Sequence, residues 1–227
     1  MQIIYLDHTD STNEYIKRFL QKGENVIVCA KMQTGGKGTK GRSFLSEGGG
    51  VYLSALVFHK NLSAREAFRI MAHAAVAVCR TAEKFGAAPE IKWANDVLIS
   101  NKKLAGILIE NAVSNGFLHH SIMGIGMNVL NDVSSLGGIA VSLAEAAQKN
   151  CTAQEVRDAL IRNFLTPSSF EEYLGYAKFL GNEVQVTEGE EVYAATAKEI
   201  LPDGRLKVQT ASGERVLSSA EVRVRLR

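Results

Sequence analysis

The chain has 227 residues, 46% of them hydrophobic, enough for one large domain or for one of about 180 residues with a small one beside it. Its 26 basic and 24 acidic residues leave a net charge of +2, which argues against a broad nucleic-acid-binding surface. Cys29, Cys79 and Cys151 are odd in number, far apart and form no CxxC pair, so neither a disulfide framework nor a zinc site is expected. The opening MQIIYLDHTDS carries no basic region followed by a long apolar run, so no signal peptide is expected, and no stretch reads as a membrane span.

Ile3 to Leu6 reads as a short strand. Asp10-Ser11-Thr12-Asn13 then supplies helix-capping side chains ahead of a helix over 14–21, which Gly23 ends. Two readings stand side by side: these groups cap the helix, or they present hydroxyls to a polar ligand. Asn25 to Ala30 is a second strand, and it empties into QTGGKGTKGRSF at 33–44. Gly35 to Arg42 holds four glycines and three basic residues, Lys37, Lys40 and Arg42. Glycine lets backbone N–H groups approach a ligand closely, and the cations complete an anion cradle. A solvated surface loop is the plainer reading. The run lacks the GxxxxGK[ST] spacing of a phosphate-loop ATPase and does not match GxGxxG at a βαβ turn.

Val51 to Phe58 is a strand. Ser63 with Glu66 predicts a capping box opening a helix that runs to about Phe85, with an apolar stripe through Ala67, Phe68, Met71, Ala74, Ala75 and Val78. His73 within it is read as structural. Ile91–Trp93 and Val97–Ile99 flank a polar break at Asn95-Asp96, either a turn only or a site where Asp96 helps carry Mg²⁺. Lys103 precedes the apolar strand LAGILIE; it is a solvated edge charge or a cation held for a carboxylate and a phosphate. HHSIMGIGMN at 119–128 ends as a strand whose glycines, at 124 and 126, let something pack against the backbone.

A helix is expected over 137–148, and Thr152 with Glu155 predicts a capping box for another that ends before Pro167. Residues 170–176 add a short helix. From Gly181 the pattern changes to short alternating segments at 184–186, 192–200, 206–208 and 222–224, divided by turns at Gly189, Pro202-Asp203-Gly204 and Ser212-Gly213-Glu214. This predicts a small antiparallel barrel or sandwich, with the boundary at 176–182. The first domain lacks a regular βαβ rhythm, so a mostly antiparallel or mixed sheet with helices on one side is expected.

DSTN at 10–13, QTGGKGTKGRSF at 33–44, KWAND at 92–96, KLAGILIE at 103–110 and GIGMN at 124–128 together resemble the biotin protein ligases in order and spacing. The small C-terminal barrel is similar too. The resemblance implies an α+β fold of the class II synthetase-like, biotin/lipoate ligase type. Its mixed, mostly antiparallel sheet with helices would occupy 1–178, and an SH3-like β-barrel 179–227. It is similar to the short form without an N-terminal winged-helix DNA-binding domain, since DSTN begins at residue 10, so repression of a biotin operon is not implied. The implied activity joins biotin and ATP into biotinyl-5′-AMP with release of pyrophosphate. Biotin then moves to one lysine of a biotin carboxyl carrier protein. ATP, biotin and Mg²⁺ are the implied small molecules, and a cytoplasmic location goes with them; no nucleic-acid or membrane partner is implied. Pairing of an edge strand in a homodimer stays open, as do a lipoate or octanoate ligase or transferase relative and a non-catalytic homologue.

Carried over by resemblance, Ser11, Thr12 and Gln33 hold the biotin ureido ring, with Gly36, Lys37 and Gly38 of the loop folding over it. Lys103 contacts the biotin carboxylate and the adenylate phosphate, and with Lys37 and Arg42 forms the catalytic set. Lys40, Arg42, Phe44, Trp93, Asn95 and Asn128 lie toward the nucleotide, and Asp96 toward the metal. The chain departs from the family's GRGRxGR loop: Lys37 and Thr39 replace the first two arginines, Lys40 takes the variable position and only Arg42 is kept. Lysine does not reproduce the bidentate fork of arginine, and threonine still less, so leakage of the adenylate is expected. Phe44 stands for tryptophan and Ala94 for proline. In the barrel, Ala194, Thr196 and Ser219 stand where glycines are common.

Overall fold

Seven strands form one sheet: β1 (Gln2–Thr9), β2 (Val26–Gln33), β3 (Val51–Ser63), β4 (Glu90–Lys92), β5 (Asp96–Ile99), β6 (Lys102–Ser114) and β7 (Phe117–Met127), in the order β1-β2-β3-β7-β6-β5-β4. Only β1 and β2 pair in parallel; every other neighbour is antiparallel. The computed structural model describes residues 1–147, 149–218 and 222–226; Gln148 and Ser219, on which expectations were placed, lie outside them.

The sequence sets the two faces of this sheet apart. Val26 to Ala30 of β2 and Val51 to Leu56 of β3 are buried at every position, so both faces are covered. On one face Ile27, Cys29, Leu53, Ala55, Ile107, Met123 and Ile125 join the main core. Against it lies α2 (Phe68–Lys84), backed by α4 (Ala153–Leu165) and α5 (Phe170–Tyr176). The run of small residues in α2, Ala72, Ala74, Ala75 and Ala77, lets it sit close to the strands. On the other face a second, smaller cluster of Ile16, Val26, Val28, Leu56 and Ile122 packs beneath α1 (Thr12–Ile16).

Local signals explain most helix ends. Gly23 stops the 3₁₀ turn after α1 at φ +66. The Thr152–Glu155 capping box opens α4 with both bonds formed. Ser63 instead caps a 3₁₀ turn over Ala64–Glu66, and α2 begins at Phe68. The helix expected over 137–148 shrinks to α3 (Leu143–Ala146), because Gly137 and Gly138 adopt positive φ and a Ser142–Glu145 capping box restarts the chain. Among the described residues no helix is long and apolar enough to cross a membrane. The three cysteines are free, and burial pushes the Cys29 thiol up to about 12.

Beyond Gly181 lie β8 (Glu183–Glu188), β9 (Glu191–Ile200), β10 (Leu206–Thr210), β11 (Gly213–Leu217) and β12 (Val222–Leu226). They form an antiparallel sheet ordered β11-β10-β9-β8-β12. Four of these match the expected segments; β11 is additional, in a stretch read only as the turn at 212–214. Val184, Val186, Ala197, Leu206 and Val208 belong to the same apolar cluster as Val76 and Trp93. The seam is specific: Trp93 Nε1 donates to the Gly204 carbonyl at 2.8 Å, and any Cβ on Gly204 would collide with the Phe68 ring.

Candidate active site

The site begins as a gap in the face beneath α1. Along β7 that face reads Ile122, Gly124, Gly126, so the apolar packing of Ile122 gives way to bare backbone. Gly106 of β6 pairs directly with Gly126, and Leu108 with Gly124. Three glycines thus make a trench floor, and different groups fill it. Asn13 from α1 rests on Gly124, where any Cβ would strike its amide. The Phe44 ring rests on Gly126, where a Cβ would stand 2.6 Å from Cε1. Lys103 lies over Gly106, whose added Cβ would come within 2.9 Å of Nζ. Polar, aromatic and cationic groups follow one another along the floor.

The polar end is a closed hydrogen-bond network. Gln33 Oε1 accepts from the Thr12 backbone N–H at 2.7 Å and from Thr12 Oγ1 at 3.0 Å, and Gln33 Nε2 donates to Ser46 Oγ at 2.9 Å. Ser54 Oγ, fully buried, lies 2.7 Å from Thr12 Oγ1 and 2.5 Å from Asn13 Oδ1 and donates its one proton to one or the other. Ser11 occupies the N-cap position of α1, yet its side chain makes no capping bond. The capping reading of DSTN is thus not met at Ser11, which is among the residues that line the pocket.

The glycine-rich loop is a small hairpin arching over this floor. Gly38 N–H donates to the Arg42 carbonyl at 2.6 Å and Phe44 N–H to the Gly36 carbonyl at 2.9 Å. The turn needs positive φ at Lys40 (+57) and Gly41 (+72), which explains the glycine. Arg42 folds back on Thr39, donating from Nη2 to Thr39 Oγ1 at 2.8 Å and from Nε to the Thr39 carbonyl at 3.2 Å. Lys37 reaches across to Glu14 of α1 at 2.5 Å. Hydrogen bonds from Lys17, then from Lys37, hold the Glu14 carboxyl below the usual carboxylate value.

Lys103 is fixed at the cationic end. Its backbone N–H donates to Ile139 O at 2.9 Å, and its carbonyl accepts from Val141 N at 3.0 Å and from Asn128 Nδ2 at 3.3 Å. Its Nζ lies 2.6 Å from Asp96 Oδ1 and 5.7 Å from the Phe44 ring centroid. Asp96 Oδ1 is buried and makes no well-aligned hydrogen bond; the Lys103 contact is close but poorly directed. Asn95 is bolted to β6 through Nδ2 to the Ile107 carbonyl at 3.1 Å. The Trp93–Ala94 peptide bond in this turn is cis.

A sequence profile described as the biotin/lipoate A/B protein ligase family matches residues 5–128. The chain belongs to that family. Among its relatives, the bifunctional ligase/repressor BirA of Bacillus subtilis (strain 168) is 30% identical over 240 residues, spanning 97% of this chain and 73% of that protein. The biotin–[acetyl-CoA-carboxylase] ligase of Mycobacterium tuberculosis is 26% identical, spanning 97% of this chain and 88% of that protein. Among solved structures, the biotin protein ligase from Aquifex aeolicus in complex with biotin and ATP superposes with a TM-score of 0.76 at 27% identity, covering 100% of this chain and 99% of that one.

Within this biotin/lipoate ligase fold the predicted residues divide. Ser11, Thr12, Gln33, Lys37, Gly38, Arg42, Phe44, Asn95 and Lys103 line one pocket, joined by Thr39 of the same loop. Gly36 lies just behind it, where a Cβ would stand 2.5 Å from the Phe44 carbonyl. Asp96 enters through its contact with Lys103. Trp93 and Asn128 stand outside the lining: Trp93 serves the seam with the C-terminal sheet, and Asn128 buttresses the Lys103 backbone. Lys40 is exposed at the loop tip. Sequence reading missed Glu14, Ser46, Ser54 and Gly106. Ser54 carried a signal, a lone hydroxyl inside an apolar strand. Glu14, the residue directly after a recognised motif, carried none.

Proposed function

We propose that the chain is an ATP-dependent biotin protein ligase. The observation that carries this reading is the order of groups along the glycine floor: a hydroxyl and amide network at one end, Lys103 at the other, and a cationic hairpin above. Biotin has that polarity, a polar ring, an apolar chain and a terminal carboxylate. Ser11, Thr12 and Gln33 orient the ring; Lys103, Lys37 and Arg42 face the carboxylate and the α-phosphate. The biotin carboxylate attacks the α-phosphorus, and pyrophosphate leaves. Lys103 stabilises the charge on the bridging oxygens. An acceptor lysine amine then attacks the acyl carbonyl, loses a proton and expels AMP. The acceptor in this reading is a biotin carboxyl carrier protein, and the reaction runs in the cytoplasm. Catalysis is assigned to 1–178, with 179–227 as the small C-terminal domain.

Mg²⁺ enters as the counter-ion of ATP. Asp96, with a buried oxygen lacking a well-aligned hydrogen bond, offers one ligand, and among the described residues no group of three His, Cys, Asp or Glu side chains is gathered for a metal. Asp96 would be the side chain that holds the ion, and the ion would neutralise charge on the departing pyrophosphate. Asn95 and Phe44 flank the nucleotide in this reading, Trp93 and Asn128 support it from behind, and Lys40 meets the phosphates from the loop tip.

ATP–pyrophosphate exchange tests the reading. Exchange that requires biotin, is not supported by lipoate, and is followed by biotin transfer to a carrier domain is the expected result. Exchange with lipoate alone, or none with either acid, overturns it.

A further inference from the structure

We infer that Glu14 is a positioning residue that clasps the glycine-rich loop over the pocket and so sets how long an acyl-adenylate stays bound. The second half rests on the ligase reading; the clasp itself does not. Residues 37–43 are otherwise bonded among themselves: Gly38 to Arg42, Arg42 to Thr39, and Lys37 paired with Ser43. Among the described residues, the contact of Lys37 Nζ with Glu14 Oε1 at 2.5 Å is the one ion pair that ties this hairpin to the rest of the chain.

The anchor end of the clasp is tied down. Glu14 sits in the first turn of α1, and the same Oε1 that meets Lys37 also accepts from Lys17 Nζ at 2.9 Å. Lys17 also reaches Glu110 Oε2 of β6 at 2.9 Å, and Glu110 Oε1 accepts from Asn13 Nδ2 at 2.8 Å. Asn13 is itself seated on Gly124. An unbroken line of charge and hydrogen bonds therefore runs from the trench floor, through Asn13, Glu110, Lys17 and Glu14, to Lys37 on the loop. Glu14 is absent from the pocket lining, so it acts on a ligand only through the loop. Its depressed carboxyl value keeps it ionised throughout the neutral range. With Glu14 uncharged, the hairpin keeps its internal bonds but loses its tie to α1, and it swings as a unit. The Lys37 side chain is 51% exposed and that of Glu14 34%, so the clasp is weak and salt-sensitive. It gates escape and does not lock it.

The test uses Glu14→Gln, which keeps length and removes charge, with Glu14→Asp as a partial rescue. Trypsin is first applied to ligand-free protein. Cleavage after Lys37, Lys40 or Arg42 is expected to speed up about two- to five-fold in Glu14→Gln. Glu14→Asp should fall in between, and wild type in about 0.5 M NaCl should approach the variant. The salt arm needs no variant, so it stands even if a substitution fails to fold. Loop cleavage that neither the variants nor salt alters overturns the clasp. Protein loaded with biotin and Mg-ATP is next diluted, and free biotinyl-AMP is measured over time. Escape about two- to five-fold faster in Glu14→Gln, with an unchanged rate of adenylate formation, supports the inference. Faster cleavage with unchanged escape overturns the link to adenylate retention. Absence of adenylate in wild type overturns the ligase reading, while the protease result still decides the clasp.

Discussion

Lys103 Nζ approaches Asp96 Oδ1 to 2.6 Å across the junction of β5 and β6, and the two groups are the only opposite charges at the cationic end of the trench among the described residues. The pair keeps the ammonium aimed over Gly106 while its backbone is pinned from both sides. Lys103→Gln removes the charge and leaves the pinned backbone. Biotin-dependent pyrophosphate exchange should fall about 100- to 1,000-fold, the usual cost of losing one preorganised donor to developing charge. Lys103→Arg should not restore it fully, because a planar guanidinium does not reproduce the compact point charge of the ammonium. Exchange within threefold of wild type in Lys103→Gln would remove Lys103 from the chemistry.

Gly126→Ala tests the floor. Its Cβ would stand 2.6 Å from the Phe44 ring, so the ring must leave. Overpacking of this kind costs about 1–3 kcal/mol, a fall in melting temperature of roughly 2–4 °C per kcal/mol for a chain of this size. Ligand affinity should drop as the ring shifts. Phe44→Ala in the same chain should recover the stability lost to the alanine, because the clash has gone. Additive losses in the double variant would show that the ring does not rest on Gly126.

Thr39→Arg probes the altered loop. Thr39 spends its hydroxyl and carbonyl on Arg42, which holds that guanidinium against the loop itself. A second guanidinium at 39 adds a cation beside the phosphate position and frees Arg42 from the threonine hydroxyl. Release of biotinyl-AMP should slow about tenfold, and stray attachment of biotin to non-target lysines should fall with it. Equal release from the two proteins would show that the threonine costs nothing in retention.

A pH dependence follows from the far end of the sheet. His119 and His120 of β7 pack on the Phe58 ring, His119 Nδ1 lying 3.1 Å from His120 Nδ1, and the neighbouring His59 of β3 has its Nε2 2.9 Å from Ser121 Oγ. Burial, then the neighbouring His120, lowers the His59 pKa; burial, then His119, lowers that of His120. The unfolded chain therefore takes up these protons at higher pH than the folded one does. Stability is complete above the ordinary histidine value of 6.5 and declines as pH falls below it toward the lowered folded values. Melting temperatures between about pH 7.5 and 5.5 should fall on acidification, less steeply in a His59→Asn, His120→Asn variant. Parallel curves for the two proteins would place the acid sensitivity elsewhere.

How much was legible in the sequence depended on whether a residue's job is local. The Thr152–Glu155 capping box, the glycine-rich loop and the alternation of β8, β9 and β10 are written in adjacent residues, and they appear where the patterns put them; the Ser63–Glu66 box does not, since Ser63 accepts from Arg65 N and caps only a 3₁₀ turn. The parallel pairing of β1 with β2 is not, because it joins segments separated by α1 and is set by burial of β2 on both faces. β11 was lost because Glu214, Arg215 and Val216 are all exposed, on both faces of the strand, and lack the apolar alternation that marks one. Gly106 passed as one more position of the apolar strand LAGILIE; its purpose emerges only when β6 lies beside β7 and it pairs with Gly126. The role of Glu14 was invisible because its loop partner, Lys37, comes from beyond β2, while Lys17 lies in the 3₁₀ turn that follows α1.

The indole of Trp93 has a further consequence. It holds the turn ahead of Asn95 and Asp96 from one side and the Pro202–Gly204 bend from the other, while Tyr173 Oη donates to the neighbouring Ala94 carbonyl at 3.2 Å. Two chain segments more than a hundred positions apart thus share one bolt, set two residues from Asn95, which lines the pocket. The terminal sheet is therefore less an appendage than a backstop: jarring it at Gly204 would be felt in the pocket before the rest of the protein noticed.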